Sequence, residues 1–308
     1  MNDREQIGKV TLDYTWYPGK DLYSDGEIED RLLEIARTVG EEEMNAVIDR
    51  EKDWAVLYHM SHIRQNIVDW LPIGKTDEVL EIGAGCGAIT GALTEKAGHV
   101  TCVDLSRKRS LVNAYRHQNA DNLTIMVGNF QDIEKNLTKK YDYITLIGVF
   151  EYAQGYIGTQ QPYVEFLRQI SAHLAPGGKV VIAIENRLGM KYWAGCREDH
   201  TGNLFEGMEN YSKDCTVRTF AKPELEKLFA VAGFKNWKFY YPYPDYKLPM
   251  TIYSDEYLPQ KGELNTNIWN FDRDRLVLFD EKLAFDSMLE CGLFPLYSNS
   301  YLVILERE

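Results

Sequence analysis

Between Val79 and Thr90 the chain reads Val-Leu-Glu-Ile-Gly-Ala-Gly-Cys-Gly-Ala-Ile-Thr, a segment that leaves few folds open. A short apolar run ends in the carboxylate of Glu81-Ile82, glycines follow at positions 83, 85 and 87, and helix-like sequence begins. A second apolar run, His99 to Val103, ends in Asp104, about 20 residues beyond the glycines, the spacing of a second strand tip. A parallel α/β protein holds a nucleoside-bearing cofactor in this way. Glycines let the backbone come close to the ligand, and the acid at the second strand takes ribose hydroxyls.

The glycine spacing alone is ambiguous, because Gly83, Gly85 and Ala88 also satisfy the dinucleotide pattern G-x-G-x-x-G/A. Glu81 decides between the two. A carboxylate at a strand tip repels a pyrophosphate but serves a sulfonium amino acid, directly or through water. The E-x-G-x-G-x-G segment resembles motif I of the class I S-adenosylmethionine-dependent methyltransferases. That resemblance covers residues 78–184 and implies S-adenosylmethionine as cofactor. It places Glu81 near the amino group, Gly83, Ala84, Gly85 and Gly87 along the methionine and ribose, and Asp104-Leu105 at the ribose diol, where each carboxylate oxygen takes one donor. After the third strand, Gly128-Asn129-Phe130 follows. The family commonly has an acid where Asn129 stands, reading the adenine amino group. An amide oxygen can do the same, and Phe130 is expected to stack on adenine.

Composition limits the partners. At 308 residues with 44% hydrophobic and 26% charged residues, the chain reads as a globular enzyme. A formal charge of −13 argues against a long polyanion, which needs clustered Lys and Arg. The basic run Arg107-Lys108-Arg109 reads as the solvated face of a helix after Asp104. Cys86, Cys102, Cys196, Cys215 and Cys291 are odd in number and lack framework spacing, so reduced thiols and a cytoplasmic setting are expected. The N-terminus shows no apolar signal region, and no run of about 18 apolar residues appears, so no membrane insertion is expected.

Along the chain, residues 1–75 read as an N-terminal helical extension or lid, with helices over 27–39 and about 42–71. Leu57, Met60, Ile63, Ile67 and Leu71 form one apolar face, ended by Pro72. His59 and His62 read as packing residues, and Tyr14, Trp16, Tyr17 and Tyr23 as an aromatic cluster packing on the core or covering the substrate opening. From residue 76 a methyltransferase domain is expected, with strands near 78–82, 99–103, 123–127, 142–147 and 179–184, each largely apolar as a doubly covered parallel strand should be. Val164, Leu167, Ile170 and Leu174 mark the helix before the fifth strand. It stops at Ala175-Pro176-Gly177-Gly178, which resembles the family's L-x-P-G-G. A helix near 222–232, a strand near 236–241 and a last strand at 300–305 complete the expectation: an α/β, doubly wound, seven-stranded, mostly parallel sheet with an antiparallel last strand. Two insertions, about 185–217 and 243–298, stand outside that core, and the first emerges where ligand-binding loops gather.

The catalytic candidates follow from position. In the family, the segment after the fourth strand, here Gly148-Val149-Phe150-Glu151-Tyr152, commonly faces the reacting methyl. Glu151 is therefore a candidate base or orienting carboxylate, with a helix N-terminal role as the alternative. Glu185-Asn186 stand at the tip of the fifth strand, and His200 is the natural base near neutral pH. Lys191, Arg187 and Arg197 suit an anionic group on the acceptor. Cys196, His200 and Cys215 have weak metal-ligand spacing, and no metal is assigned. The leading reading is a methyltransferase acting on a small-molecule acceptor such as a sugar, a nucleotide-sugar or a secondary metabolite, with no nucleic acid and with a homodimer allowed by exposed aromatics in the second insertion. The alternatives are a nucleic-acid methyltransferase, a nicotinamide-dependent oxidoreductase, and a non-catalytic S-adenosylmethionine-binding protein.

Overall fold

The computed structural model describes residues 3–267 and 273–307, so residues 268–272 of the second expected insertion lie outside the described part. The chain divides into two compact units, residues 1–146 with 172–179, and residues 147–171 with 180–308. Among the described residues there are ten strands: β1 Arg4–Ile7, β2 Val10–Asp13, β3 Glu78–Ile82, β4 His99–Asp104, β5 Leu123–Val127, β6 Tyr141–Ile147, β7 Leu174–Glu185, β8 Asn236–Tyr243, β9 Thr251–Ser254 and β10 Ser300–Glu306.

In the first unit the strand order is β1-β2-β5-β4-β3-β6. The pairs β3–β4, β3–β6, β4–β5 and β2–β5 are parallel, and only the β1–β2 hairpin is antiparallel. Val79, Leu80, Val100, Cys102 and Ile125 are fully buried, as doubly covered strands require. In the second unit the order is β7-β10-β8-β9, with β10–β8 and β8–β9 antiparallel.

The expected antiparallel last strand is therefore present, while the expected count of seven is corrected to ten. The additional strands are β1 and β2, which add a short hairpin beside β5, and β9, which pairs with β8 inside the second insertion. The segments Arg4–Ile7 and Val10–Asp13 are too short to show a strand period in the sequence.

Two further expectations need correction. Residues 1–75 are not purely helical, since β1 and β2 lie there. The helix expected over 42–71 is broken into Met44–Glu51, Trp54–Met60, a 3₁₀ turn His62–Gln65 and Asn66–Asp69. Lys52 adopts a left-handed conformation (φ 50) that closes the first piece. Asp53 then caps the second by accepting from the Ala55 and Val56 amides, and Ser61 starts the turn by accepting from Ile63. Polar residues that offer the backbone a competing bond thus interrupt the helix, yet Met60, Ile67 and Leu71 remain buried as their spacing implied. The helix Ile28–Thr38 packs Leu32 and Ile35 in one core with Val56, Met60, Cys86 of the glycine segment and Val112. Among the described residues no helix is long and apolar enough to cross a membrane.

Candidate functional site

In the first unit the glycine segment turns sharply from β3 into the helix Thr90–Lys96. Gly83, Gly85 and Gly87 have φ values of 72, 53 and 75, a region side chains rarely tolerate, so the sequence can make this turn only with glycine. The Gly83 amide donates to the Val103 carbonyl at 2.8 Å, which fixes the loop against β4. Gly83 is exposed, Gly85 half-buried and Ala84 buried.

Asp104 stands at the end of β4 with its side chain half-buried. Its Oδ2 accepts from the Gly85 amide at 2.7 Å, and its Oδ1 from the Ser106 amide at 2.9 Å. Burial pushes its carboxyl above the usual range, against the backbone amide of Ser106 and the charge of Arg109. Leu105 beside it is half-buried. Glu81 sits deeper, beneath the loop. Its Oε2 accepts from Thr90 Oγ1 at 2.7 Å and from Cys102 Sγ at 3.2 Å. Burial pushes it up to about 7, although the Thr90 and Cys102 bonds favour the charged form. Asn129 Oδ1 accepts from the Gln131 amide at 3.0 Å, capping the helix Phe130–Ile133, and Phe130 is buried.

A segment that the sequence left open between packing and cover lies against these loops. Asp21 accepts from Ser106 Oγ at 2.9 Å and from the amides of Arg107 and Lys108 at 2.7 and 3.3 Å. It therefore occupies the N-terminus of the helix Arg107–Arg116 next to Asp104. Arg109 pairs with Asp25 and with the fully buried Glu29, and its guanidinium carbon lies 4.4 Å from the Tyr23 ring centre. The basic run is thus tied to the N-terminal segment rather than simply solvated. The Trp16 carbonyl reaches the backbone of Gly128, where a Cβ would meet it at 2.6 Å.

In the second unit the Gly148 amide donates to the Ala183 carbonyl at 2.9 Å, so the segment after β6 runs beside the end of β7. This brings together all three catalytic candidates. One ligand-type atom each from Glu151, Glu185 and His200 lie within 4.8 Å of one another. Glu151 and Glu185 are buried, and Oε2 of each has no hydrogen-bond partner among the described residues. His200 Nε2 stands 3.7 Å from Glu151 Oε1, while its Nδ1 stands 3.0 Å from Glu198 Oε1. Burial alone would lower the imidazole, but the facing Glu151 and Glu198 carboxylates outweigh it and hold His200 well above its ordinary value. Burial also raises Glu151, partly offset by His200. Tyr152 meets the His200 ring edge-on at 5.4 Å.

Several partners of this cluster were not singled out from the sequence. Glu198 Oε2 accepts from the amides of His200 and Thr201, both at 2.7 Å, and Glu198 Oε1 accepts from Tyr211 Oη at 3.2 Å. Lys247 Nζ bridges Glu185 Oε1 at 2.5 Å and Asp199 Oδ1 at 2.7 Å. Tyr246 Oη donates to Glu185 at 3.3 Å and lies where a Cβ on Gly148 would be, at 2.7 Å. The Glu198-Asp199-His200 run was the one sequence signal for the first of these.

The cations expected to bind an anionic acceptor are engaged within the protein. Lys191 lies 2.8 Å from both Asp199 and Asp245, Arg187 pairs with Glu224 at 2.7 Å, and Arg197 donates to the Gly202 carbonyl at 3.2 Å. Cys215 donates to the Val217 carbonyl, and Cys196 is buried. Among the described residues, the grouping with metal-ligand spacing is Glu151, Glu185 and His200, with no cysteine in it.

A family profile described as a methyltransferase domain matches residues 80–180. A ubiquinone biosynthesis O-methyltransferase of Rickettsia canadensis is 25% identical over 196 residues, covering 61% of this chain and 77% of that protein. A probable ribosomal RNA small subunit methyltransferase A of Methanothermobacter thermautotrophicus is 36% identical over 66 residues, covering 21% of this chain and 24% of that protein. A solved S-adenosylmethionine-dependent methyltransferase of Archaeoglobus fulgidus is 15% identical with a TM-score of 0.49, covering 83% of this chain and all of that one.

Proposed function

We propose that the chain is a class I S-adenosylmethionine-dependent methyltransferase that methylates a hydroxyl oxygen of a small-molecule acceptor. The observation that carries this reading is the buried group Glu151, Glu185 and His200. Two carboxylates whose Oε2 atoms lack partners among the described residues stand beside an imidazole, just beyond the ends of β6 and β7. The Rickettsia relative's name, an O-methyltransferase, supports the choice of oxygen.

The residues of the first unit fit the cofactor. Asp104 spends each oxygen on one backbone amide and keeps further lone pairs for a ribose diol. The positive-φ glycines keep side chains away from the ligand. Asn129 and Phe130 follow β5 and suit the adenine, and Glu81 acts from beneath by tying the loop to Thr90. When bound, S-adenosylmethionine supplies the methyl group and a neutral thioether leaving group. The protein's own work is alignment and exclusion of water, since the reaction is an in-line displacement. A hydroxyl must also lose its proton as the methyl arrives; the Glu151 and Glu185 carboxylates are the groups that take it up, while His200, held charged by Glu151 and Glu198 rather than poised as the free base the sequence suggested, orients Glu151. Residues 14–29 act as a cover over the cofactor loops, pinned by Asp21 and by the Arg109 pairs.

The test is formation of S-adenosylhomocysteine with sugars, polyols and phenols offered as acceptors and with amines alongside. Turnover on a hydroxyl acceptor that falls in Glu151→Gln and Glu185→Gln while S-adenosylhomocysteine binding persists is the expected result. Turnover on amines alone, or variants as active as the parent, would overturn it.

A further inference from the structure

We propose that Glu151, Glu185 and His200 form a binding site for one divalent cation of the Mg2+/Mn2+ class, with the acceptor's oxygen completing its coordination. Three independent features of the second unit point there. The first is spacing: one donor atom from each residue lies within 4.8 Å of the others. Donors that share an octahedral ion at about 2.1 Å are separated by roughly 3 Å side by side and roughly 4 Å across the ion, so small side-chain rotations close the set.

The second is the pair of orphaned oxygens. Glu151 is 1% and Glu185 0% exposed, and among the described residues Oε2 of each lacks any hydrogen-bond partner. A buried carboxylate oxygen without a donor is costly, and native proteins supply one or a cation. Lys247 already holds Glu185 Oε1, and His200 faces Glu151 Oε1, so what is missing belongs on the Oε2 side. The surrounding charge leaves room for it. Glu151, Glu185, Glu198, Asp199 and Asp245 face Lys191, Lys247 and one imidazole.

The third is the orientation of His200. Glu198 accepts from its Nδ1 side at 3.0 Å and is itself fixed by two backbone amides and Tyr211. Nδ1 therefore carries a proton toward Glu198, and Nε2 faces Glu151, where a bound cation would take the place of the Nε2 proton. This carboxylate–histidine arrangement is how proteins orient metal-ligating imidazoles. Two carboxylates and one imidazole, without thiolate, select a hard to borderline ion, and the nitrogen donor favours Mn2+ over Ca2+.

The cation deepens the function proposed above and, for the acceptor, rests on it. Three protein ligands leave open positions, and an acceptor hydroxyl bound there loses its proton to water far more readily than in solution. The resulting oxygen attacks the methyl carbon. The carbon–oxygen bond forms as the carbon–sulfur bond breaks, and that electron pair stays on sulfur. The products are the methyl ether, S-adenosylhomocysteine and one proton.

The test uses the full chain, freed of metal with a chelator and titrated with Mn2+ while the electron paramagnetic resonance signal of the free ion is followed. One Mn2+ per chain is expected. Affinity should fall about tenfold or more in Glu185→Gln, Glu151→Gln and His200→Ala, and be unchanged in Glu256→Gln, a control for ion collection by an acidic surface. Melting curves of the metal-free variants identify any that fail to fold, and the remaining variants then decide. No stoichiometric Mn2+, or Mn2+ retained in both Glu151→Gln and His200→Ala, overturns the site. S-adenosylhomocysteine titrations on the same samples separate the two readings. Mn2+ bound at the cluster without methylation of any hydroxyl sinks the O-methylation and leaves the cation site standing.

Discussion

Glu198 Oε1 lies 3.0 Å from His200 Nδ1, and the same carboxylate takes the backbone amides of His200 and Thr201, so one side chain fixes both the ring and the loop that carries it. The His200 interaction holds Glu198 below its usual range in spite of burial, so it stays an anion against the imidazole. Glu198 is a positioning residue. Glu198→Gln keeps the shape but weakens the choice of tautomer, and turnover should fall about 10- to 100-fold. S-adenosylhomocysteine affinity should stay the same, which a fold defect would not permit. Paired steady-state kinetics and calorimetry check this. Parent-like turnover would show that His200 needs no anchor.

His200→Ala should likewise spare cofactor binding while reducing turnover. A hydroxyl acceptor feels this loss more than an amine does, because a neutral amine needs no base before attack. Comparing the variant's residual rate on a hydroxyl and on an amine acceptor reads this directly. Equal losses on both would mean that His200 only shapes the site.

Glu81 predicts a pH effect on stability. Its carboxyl is pushed up to about 7 from an ordinary 4.5. A group whose folded value is raised contributes stability that is full below the unfolded value and is lost as pH rises through the folded one. Between pH 4.5 and about 7 the parent should therefore lose stability relative to Glu81→Gln, by on the order of 3 kcal/mol in all. Denaturant melts of both proteins across that window provide the check. A difference that stays flat with pH would mean that Glu81 is charged in the folded protein.

Asp21→Ala should loosen the N-terminal cover. It removes the side chain that accepts from two amides and the Ser106 hydroxyl at one helix start, a cap-like loss of about 1 kcal/mol. The dissociation rate of S-adenosylhomocysteine, measured by stopped flow, should rise several-fold. An unchanged rate would remove residues 14–29 from the path of the cofactor.

What the sequence disclosed and what it hid divide by the range of the interactions. Gly83, Gly85, Gly87 and Asp104 act within one strand-loop-strand unit, so local spacing announced them. The apolar strands were legible for the same reason, because burial on both faces leaves a run without alternation. The candidates Glu151 and Glu185 came from position after strand ends and His200 from its imidazole chemistry, and the fold brings the three together. Their partners did not show. Glu185 and Lys247 are 62 residues apart, and Glu185 and Tyr246 are 61 apart, with loops, helices and the strand β8 between them, so no local spacing links them. The partner of Lys191 was hidden for the same reason, since Asp245, which holds it, comes from the other insertion. Asn129 shows the opposite limit: its local bond to Gln131 was readable, but whether its amide also meets adenine depends on a ligand.

Calorimetric titration of the parent and of Asp104→Ala with S-adenosylhomocysteine, with NAD run alongside, decides whether the glycine turn and Asp104 hold S-adenosylmethionine. Micromolar binding of S-adenosylhomocysteine to the parent, none of NAD, and loss of binding in Asp104→Ala at an unchanged melting temperature are expected. Equal affinity in Asp104→Ala, or NAD bound in place of S-adenosylhomocysteine, would contradict this assignment.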